Sequence, residues 1–303
     1  MRLRSRFACC FLIIAMALPA AATDVDGPLD CAQTKLDWGD APEGVLAYPL
    51  VLGNFPTCAA PGAIGTQTFA CPAISTPPGP TGAITHFQGG PNGLGNYWLG
   101  CYVSPIGMLG IDSEVDGKTN SPAVGLSVCS MIPTDCVEAG FGLTFDQDEC
   151  YLDGSDAGIT TPLTFGTCVT AAVPFTTANC GPTRTVFLNI AVDWNADGDW
   201  NDNFACPPAC AYEWAVVNAP LVLPPGCAAL VSPPFLTGPF VGPGWLRISL
   251  SDVPMPADYP WNGTLGLAGG SVYGGETEDY PVYIEGHVGV SPDTWGHVKS
   301  LYR

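Results

Sequence analysis

The sequence predicts an all-β protein, an antiparallel β-sandwich of jelly-roll or immunoglobulin-like topology stapled by disulfides. Three observations predict it. Apolar residues alternate at Val186, Leu188, Ile190 and Val192, at Leu246, Ile248 and Leu250, and at Tyr280, Val282 and Ile284, the spacing of side chains on one face of a strand. The 37 Gly and 31 Pro among 303 residues fall between such runs without a period, so turns rather than helices connect them. Fourteen cysteines in a chain with an export-type leader read as a disulfide framework.

Taken in order, residues 1–22 have the layout of a secretory signal. Arg2, Arg4 and Arg6 precede an apolar run over 7–18, and Ala20, Ala21 and Ala22 offer a small-residue cleavage site. That run is too short to span a bilayer, and no later stretch reaches about 18 apolar residues. The expectation is a secreted or cell-surface protein with no transmembrane segment. Cys9 and Cys10 leave with the leader. Twelve cysteines remain as disulfide candidates: Cys31, Cys58, Cys71, Cys101, Cys129, Cys136, Cys150, Cys168, Cys180, Cys206, Cys210 and Cys227. Their pairing cannot be deduced from sequence. Losing the three leader arginines leaves six basic residues against 28 acidic ones, a net charge of −22. Such a chain repels nucleic acid and anionic membrane and favours cations.

Residues 23–183 form a Cys-, Gly- and Pro-rich β region. Acidic residues surround Trp38, an apolar run covers 46–52, residues 53–96 are irregular, and 97–103 reads as a strand. Asp112, Glu114 and Asp116 alternate, so an extended chain puts all three on one face. They form a candidate second acidic site, weighed against a solvated acidic loop.

Residues 184–286 carry the cleaner strand signals, and the chemistry begins at the end of the first. The strand over 186–192 runs into a turn bearing Asp193, Asn195, Asp197, Gly198, Asp199 and Asp202. Carboxylate and amide oxygens around a sharp glycine turn suit a hard cation, and Ca²⁺ takes roughly six to eight of them. The Asp-x-Asn-x-Asp-Gly core is also the first half of an EF-hand loop. Position twelve of that loop is Phe204, however, so the reading is a calcium-competent β-turn completed from elsewhere in the fold, against the alternative of a solvated hairpin turn without metal. Cys206-Pro207-Pro208-Ala209-Cys210 lacks redox spacing and reads as structural disulfide ends.

Residues 287–303 form a tail. Asp293 and Ser291 offer caps, Trp295, Val298 and Leu301 share a helical face, and Lys299 and Arg303 suit a helix C-terminus. A short C-terminal helix is expected there.

Catalysis finds little support. Only His86, His287 and His297 are present, with no Gly-x-Ser-x-Gly elbow and no His-Glu-x-x-His zinc helix. A carboxylate-pair glycoside hydrolase stays open as an alternative. Trp98, Trp245 and Trp261 lie beside Gly/Pro turns, which makes them candidates for stacking on glycan rings, against a core role. The function expected is a non-catalytic module for adhesion, surface assembly or glycan contact, with a glycan or a surface protein as partner.

Two motifs then meet. Val192-Asp193-Trp194-Asn195-Ala196-Asp197-Gly198-Asp199-Trp200 resembles the (Ile/Val)-Asp-(Phe/Trp)-Asn-x-Asp-Gly opening of GEVED domains. Gly275-Glu276-Thr277-Glu278-Asp279-Tyr280 resembles the Gly-Glu-Val-Glu-Asp-Tyr motif for which that family is named, with Thr277 in place of the usual Val. The match covers about 184–286. The segment over 294–303 is similar to short endings of other exported bacterial proteins. The resemblance implies a secreted or surface β-sandwich of bacterial multidomain proteins and does not imply catalysis. It also implies that Glu276, Glu278 and Asp279 supply the ligands that Phe204 leaves missing.

Overall fold

Alternation of apolar side chains sets which face of each strand is buried. The protein, seen in a computed structural model, is described over residues 36–37, 41–56, 67–75, 85–87, 97–100, 158–159, 162–263 and 271–286. The leader, the acidic residues Asp112, Glu114 and Asp116, the C-terminal helix, and Cys31, Cys58, Cys101, Cys129, Cys136 and Cys150 lie outside the described residues.

Along the chain the strands are β1 (Leu36–Asp37), β2 (Glu43–Tyr48), β3 (Val51–Asn54), β4 (Thr85–Phe87), β5 (Tyr97–Leu99), β6 (Leu163–Gly166), β7 (Thr170–Ala171), β8 (Pro174–Asn179), β9 (Arg184–Val192), β10 (Asn203–Cys206), β11 (Ala209–Tyr212), β12 (Trp214–Leu223), β13 (Gly226–Val231), β14 (Phe235–Leu236), β15 (Gly242–Ser251), β16 (Ser271–Tyr273) and β17 (Glu276–Glu285). The one described helix is a single turn, α1 (Tyr259–Asn262). It is far too short to cross a membrane, and no other helix occurs among the described residues.

A five-stranded sheet, β12-β9-β15-β17-β6, lies over a three-stranded sheet, β13-β8-β5. The central pairs are antiparallel, with Leu246 opposite both Val192 and Tyr280 and Leu250 opposite Leu188 and Glu276. Partners opposite one another share a face. Val186, Leu188, Ile190, Val192, Leu246, Ile248, Leu250, Tyr280, Val282 and Ile284 therefore meet in one core with Tyr97, Leu99 and Phe175 of the facing sheet. The alternations read from sequence are this core.

The other face of the large sheet is covered too. Ala191 and Trp245 pack there with Tyr48, Phe55 and Trp200, and Trp214 packs with Met255 and Tyr259. Strands buried on both faces read as nearly continuous buried runs, as in the C-terminal eight residues of β15. The polar residues of that face, Asn189, Arg247, Ser249, Thr277 and Asp279, are likewise buried.

The boundary expected between 183 and 184 does not separate two bodies. β6 pairs with β17, β8 with β13 and β5 with β8, so segments from both sides of it share the same sheets. Of the expected disulfides, Cys71–Cys210 and Cys168–Cys206 are formed, and Cys180 is half of a cystine as well. Cys227 is a correction. It is an exposed thiol on β13, at an outward position of a strand whose only sheet neighbour in the described topology is β8.

Candidate metal centre

The turn after β9 is held in shape by its first residue. Asp193 Oδ1 accepts from the backbone N–H of Ala196 at 2.7 Å and of Asp197 at 3.3 Å. Its Oδ2 accepts from Gly198 N–H and from the Tyr48 hydroxyl, each at 2.9 Å. A short polar side chain that satisfies the following amides is how Asp nucleates a tight turn. Ala196 and Gly198 then adopt positive φ, 58° and 91°. Gly198 is required on two grounds: a Cβ there would stand 2.5 Å from Leu52 O, and Gly198 O accepts from Asn54 N at 2.7 Å. The β2–β3 hairpin lies directly on the turn.

Two tryptophans fasten the turn to both faces of the sheet. Trp194 enters the main core beside Phe165 and Phe235 and donates to Tyr212 O. Trp200 turns the other way, against Phe55, and donates to Trp245 O. The Arg247 guanidinium lies 4.5 Å above the Trp200 ring. Phe204 is core-facing and meets Phe240 edge-on.

The hairpin β10–β11 then returns the chain. Asn203 pairs with Tyr212 and Cys206 with Ala209, so the next residues out, Asp202 and Glu213, also face each other. Glu213 Oε1 accepts from Trp194 N and Oε2 from Asp202 N, both at 2.9 Å. The two cystines end on this hairpin, one on each strand.

Five carboxylates result. Oxygens of Asp193, Asp197 and Glu213 lie within 4.8 Å of one another, as do those of Asp197, Asp199 and Asp202. Cation–oxygen distances of roughly 2.3–2.6 Å put opposed ligands about 5 Å apart, so both groups have the spacing of a coordination shell. Asp193, Asp199, Asp202 and Glu213 are all buried, and Asp197 is half-buried. Burial, with Asp197 as the nearest like charge, pushes Asp193 up to about 7 and Asp199 up to about 8. Burial raises Asp202 to about 6. It also raises Asp197, and it raises Glu213 well above the carboxylate range with the four aspartates adding to it. No basic side chain forms an ion pair with any of the five among the described residues; the arginine nearest in the sheet, Arg247, is committed to Asp279.

The fit to a cation has a direct mark. Asp197 Oδ1 is buried with no hydrogen-bonding partner, and so are both amide atoms of the buried Asn201. Buried polar atoms ordinarily find partners. Of these three atoms, the Asp197 and Asn201 oxygens have lone pairs that a cation could take up. The residues present can hold a metal ion: an all-oxygen donor set suits a hard divalent cation.

Other expected ligands are placed elsewhere. Asn195 is within the turn, but its Nδ2 donates to Asp197 Oδ2 at 2.9 Å and Asp202 Oδ2 at 2.8 Å, so it screens two like charges from each other. Glu276 pairs with Leu250, four residues along β15 from Leu246, the partner of Val192; at the strand rise that is about 13 Å. Its carboxylate accepts from Leu99 N. Glu278 pairs with Ile248 and is buried. Asp279 takes both Arg247 Nε at 2.7 Å and Nη2 at 2.5 Å, and accepts from Ala41 N. The second acidic motif thus anchors N-terminal segments and a buried arginine and does not reach the turn. Glu213, outside the expected ligand set, is the carboxylate that does.

Trp98, Trp245 and Trp261 are likewise corrected. All three are buried, at 3%, 3% and 9% exposure, and Trp261 donates to Ser75 Oγ. None presents a face to a sugar.

No protein-family model matches the chain, and no curated protein matches it. Among solved structures it is similar to native alpha-2-macroglobulin from Escherichia coli, over the part from domain MG7 to the C-terminus. The identity is 13%, the TM-score is 0.23, and the match covers 42% of this chain and 16% of that one. This chain matches only a small part of that structure's length.

Proposed function

We propose that this protein is an exported, non-catalytic β-sandwich module stabilised by Ca²⁺ at the 193–202 turn, serving adhesion or surface assembly. The observation that carries the metal is the turn with its five carboxylates and the partnerless Asp197 Oδ1. Five like charges, four buried and Asp197 half-buried, cost free energy unless protons or a cation neutralise them. Asp193, Asp197, Asp199, Asp202 and Glu213 would hold the ion, which supplies positive charge and draws the turn onto the β10–β11 hairpin. Turning the Asn195 amide about its last torsion exchanges Nδ2 for Oδ1 and would add a neutral oxygen.

A structural role is favoured over a catalytic one because the β2–β3 hairpin and the two flanking tryptophans cover these carboxylates. A hydrolytic pair has to reach its glycosidic oxygen. Glycan contact loses its three expected stacking residues to the core. Export rests on the leader-type segment and the cystines, and membership of the GEVED family is proposed on the two motifs alone.

Thermal unfolding of the mature protein with calcium, and again with chelator, tests the metal. A ligand that binds only the folded state raises the midpoint. Equal midpoints in both buffers would sink the proposal.

A further inference from the structure

Outside the acidic turn the chain buries its one described histidine in a row of hydroxyls. His86, on β4, is completely buried. Its Nδ1 lies 3.2 Å from Gly274 O and its Nε2 lies 2.8 Å from Thr277 Oγ1. Thr277 Oγ1 is 2.7 Å from Ser249 Oγ, which is 2.7 Å from the Tyr259 hydroxyl. Hydroxyls can donate either way, but a carbonyl only accepts. Gly274 O therefore requires the proton on Nδ1. A neutral ring then offers a lone pair at Nε2, so Thr277 donates to it. Ser249 must donate to Thr277 in turn, and Tyr259 to Ser249. The chain has one direction, Tyr259 to Ser249 to Thr277 to His86 to Gly274.

We propose that this chain is an acid-sensitive latch, in which His86 fastens the sheet β1-β4-β16 to the five-stranded sheet when neutral and releases it when protonated. A proton on Nε2 turns that nitrogen into a donor facing Thr277 Oγ1. Thr277 has then to turn its own proton toward Ser249, Ser249 toward Tyr259, and the Tyr259 hydroxyl loses the acceptor it uses. A single proton thus reverses every link up to Tyr259.

The surroundings oppose the charge. Burial is the main cause that moves His86 down from 6.5 to about 4; the Gly274 carbonyl raises it, and the Arg247 guanidinium of β15 lowers it further. Asp279 of β17 is spent on Arg247, Tyr259 of α1 is a neutral phenol, and Asp37 of β1 is His86's register partner. Gly275 allows the ring to sit this close: a Cβ there would stand 3.3 Å from Nδ1 and 2.0 Å from Leu250 O. A folded-state value below the ordinary one gives stability that is present above about pH 6.5 and lost as pH falls toward 4. The difference between 6.5 and about 4 sets the size of the effect, roughly 300-fold in the folding equilibrium between pH 7 and pH 3.

The test uses the full mature chain labelled with ¹⁵N at histidine. The expected spectrum shows His86 as the Nδ1–H tautomer and still neutral at pH 5.5. An Nε2–H tautomer, or titration near 6.5, would overturn the proposal and requires no variant. His86→Gln keeps an acceptor for Thr277 and cannot titrate. At fixed calcium its stability should fall less than wild type between pH 6.5 and 4, by roughly 100-fold in the equilibrium constant. Parallel losses in the two proteins would also overturn it.

Discussion

Asp193 and Asp197 sit four residues apart in one turn and do opposite jobs. Asp193 accepts four hydrogen bonds and shapes the loop, whereas Asp197 has a buried oxygen with none. Removing either charge therefore has a different sign. Asp197→Asn keeps the shape and relieves repulsion from its neighbours. In chelator it should raise the unfolding midpoint by about 1 kcal/mol, roughly 2–4 °C in a chain of this size, and it should abolish the gain on adding calcium. A variant less stable than wild type in chelator would count against like-charge strain in the turn. Tyr48→Phe removes one hydroxyl that donates to Asp193. A buried bond to a charged acceptor contributes about 1.5–3 kcal/mol, so that variant should lose stability in chelator and in calcium alike, read by denaturant midpoint at constant m.

At the scale of elements, two hairpins build the site, one by covering the turn and one by closing it. Gly198→Ala puts a Cβ into Leu52 O and strains a φ of 91°. It should cost at least ~2 kcal/mol and open the β2–β3 hairpin to limited proteolysis before the rest unfolds. Simultaneous cleavage everywhere would show that the hairpin is no separate cover. The β10–β11 hairpin also explains what was legible in the sequence. Period-two patterns gave the strands of the main core because one face of each carries a run of alternating apolar residues, on β17 only from Tyr280 onward, after Glu276 and Glu278. They could not show that the opposite face is buried as well, since Asn189, Arg247, Ser249 and Thr277 look like solvent-side residues until their hydrogen bonds are known. The Asp193 turn was legible because its residues are adjacent. Glu213 was not, yet a signal existed: two short runs about Pro207-Pro208, if paired from Cys206 and Ala209 outward, bring position 213 opposite 202. The acidic motif at 276–279 misled because its strand is two away from β9 and its carboxylates are bound to Leu99, Arg247 and Ala41.

For the whole molecule, calcium bound as proposed would compete with protons for the same carboxylates, while His86 works in the other direction. Without metal, Asp193, Asp199 and Asp202 hold their protons to about pH 7, 8 and 6, far above their ordinary value of 3.8. The folded state then binds more protons than the unfolded one. That contribution to stability is full below about pH 4 and is lost as pH climbs through 6 to 8. His86 contributes above 6.5 and loses its part as pH falls toward 4. In chelator three carboxylates outweigh one imidazole, so stability should decline toward pH 8 and rise as pH falls toward 4, less steeply than the carboxylates alone would give. Calcium needs the carboxylates ionised, and its binding expels their protons. Its stabilising effect should therefore be small at pH 5 and largest near pH 8, where it fills the deficit left by deprotonation. Unfolding midpoints from pH 4.5 to 8.5, with and without calcium, measure this directly. A calcium increment that stays constant across the range, or peaks in acid, would mean that the ion binds at groups other than these five.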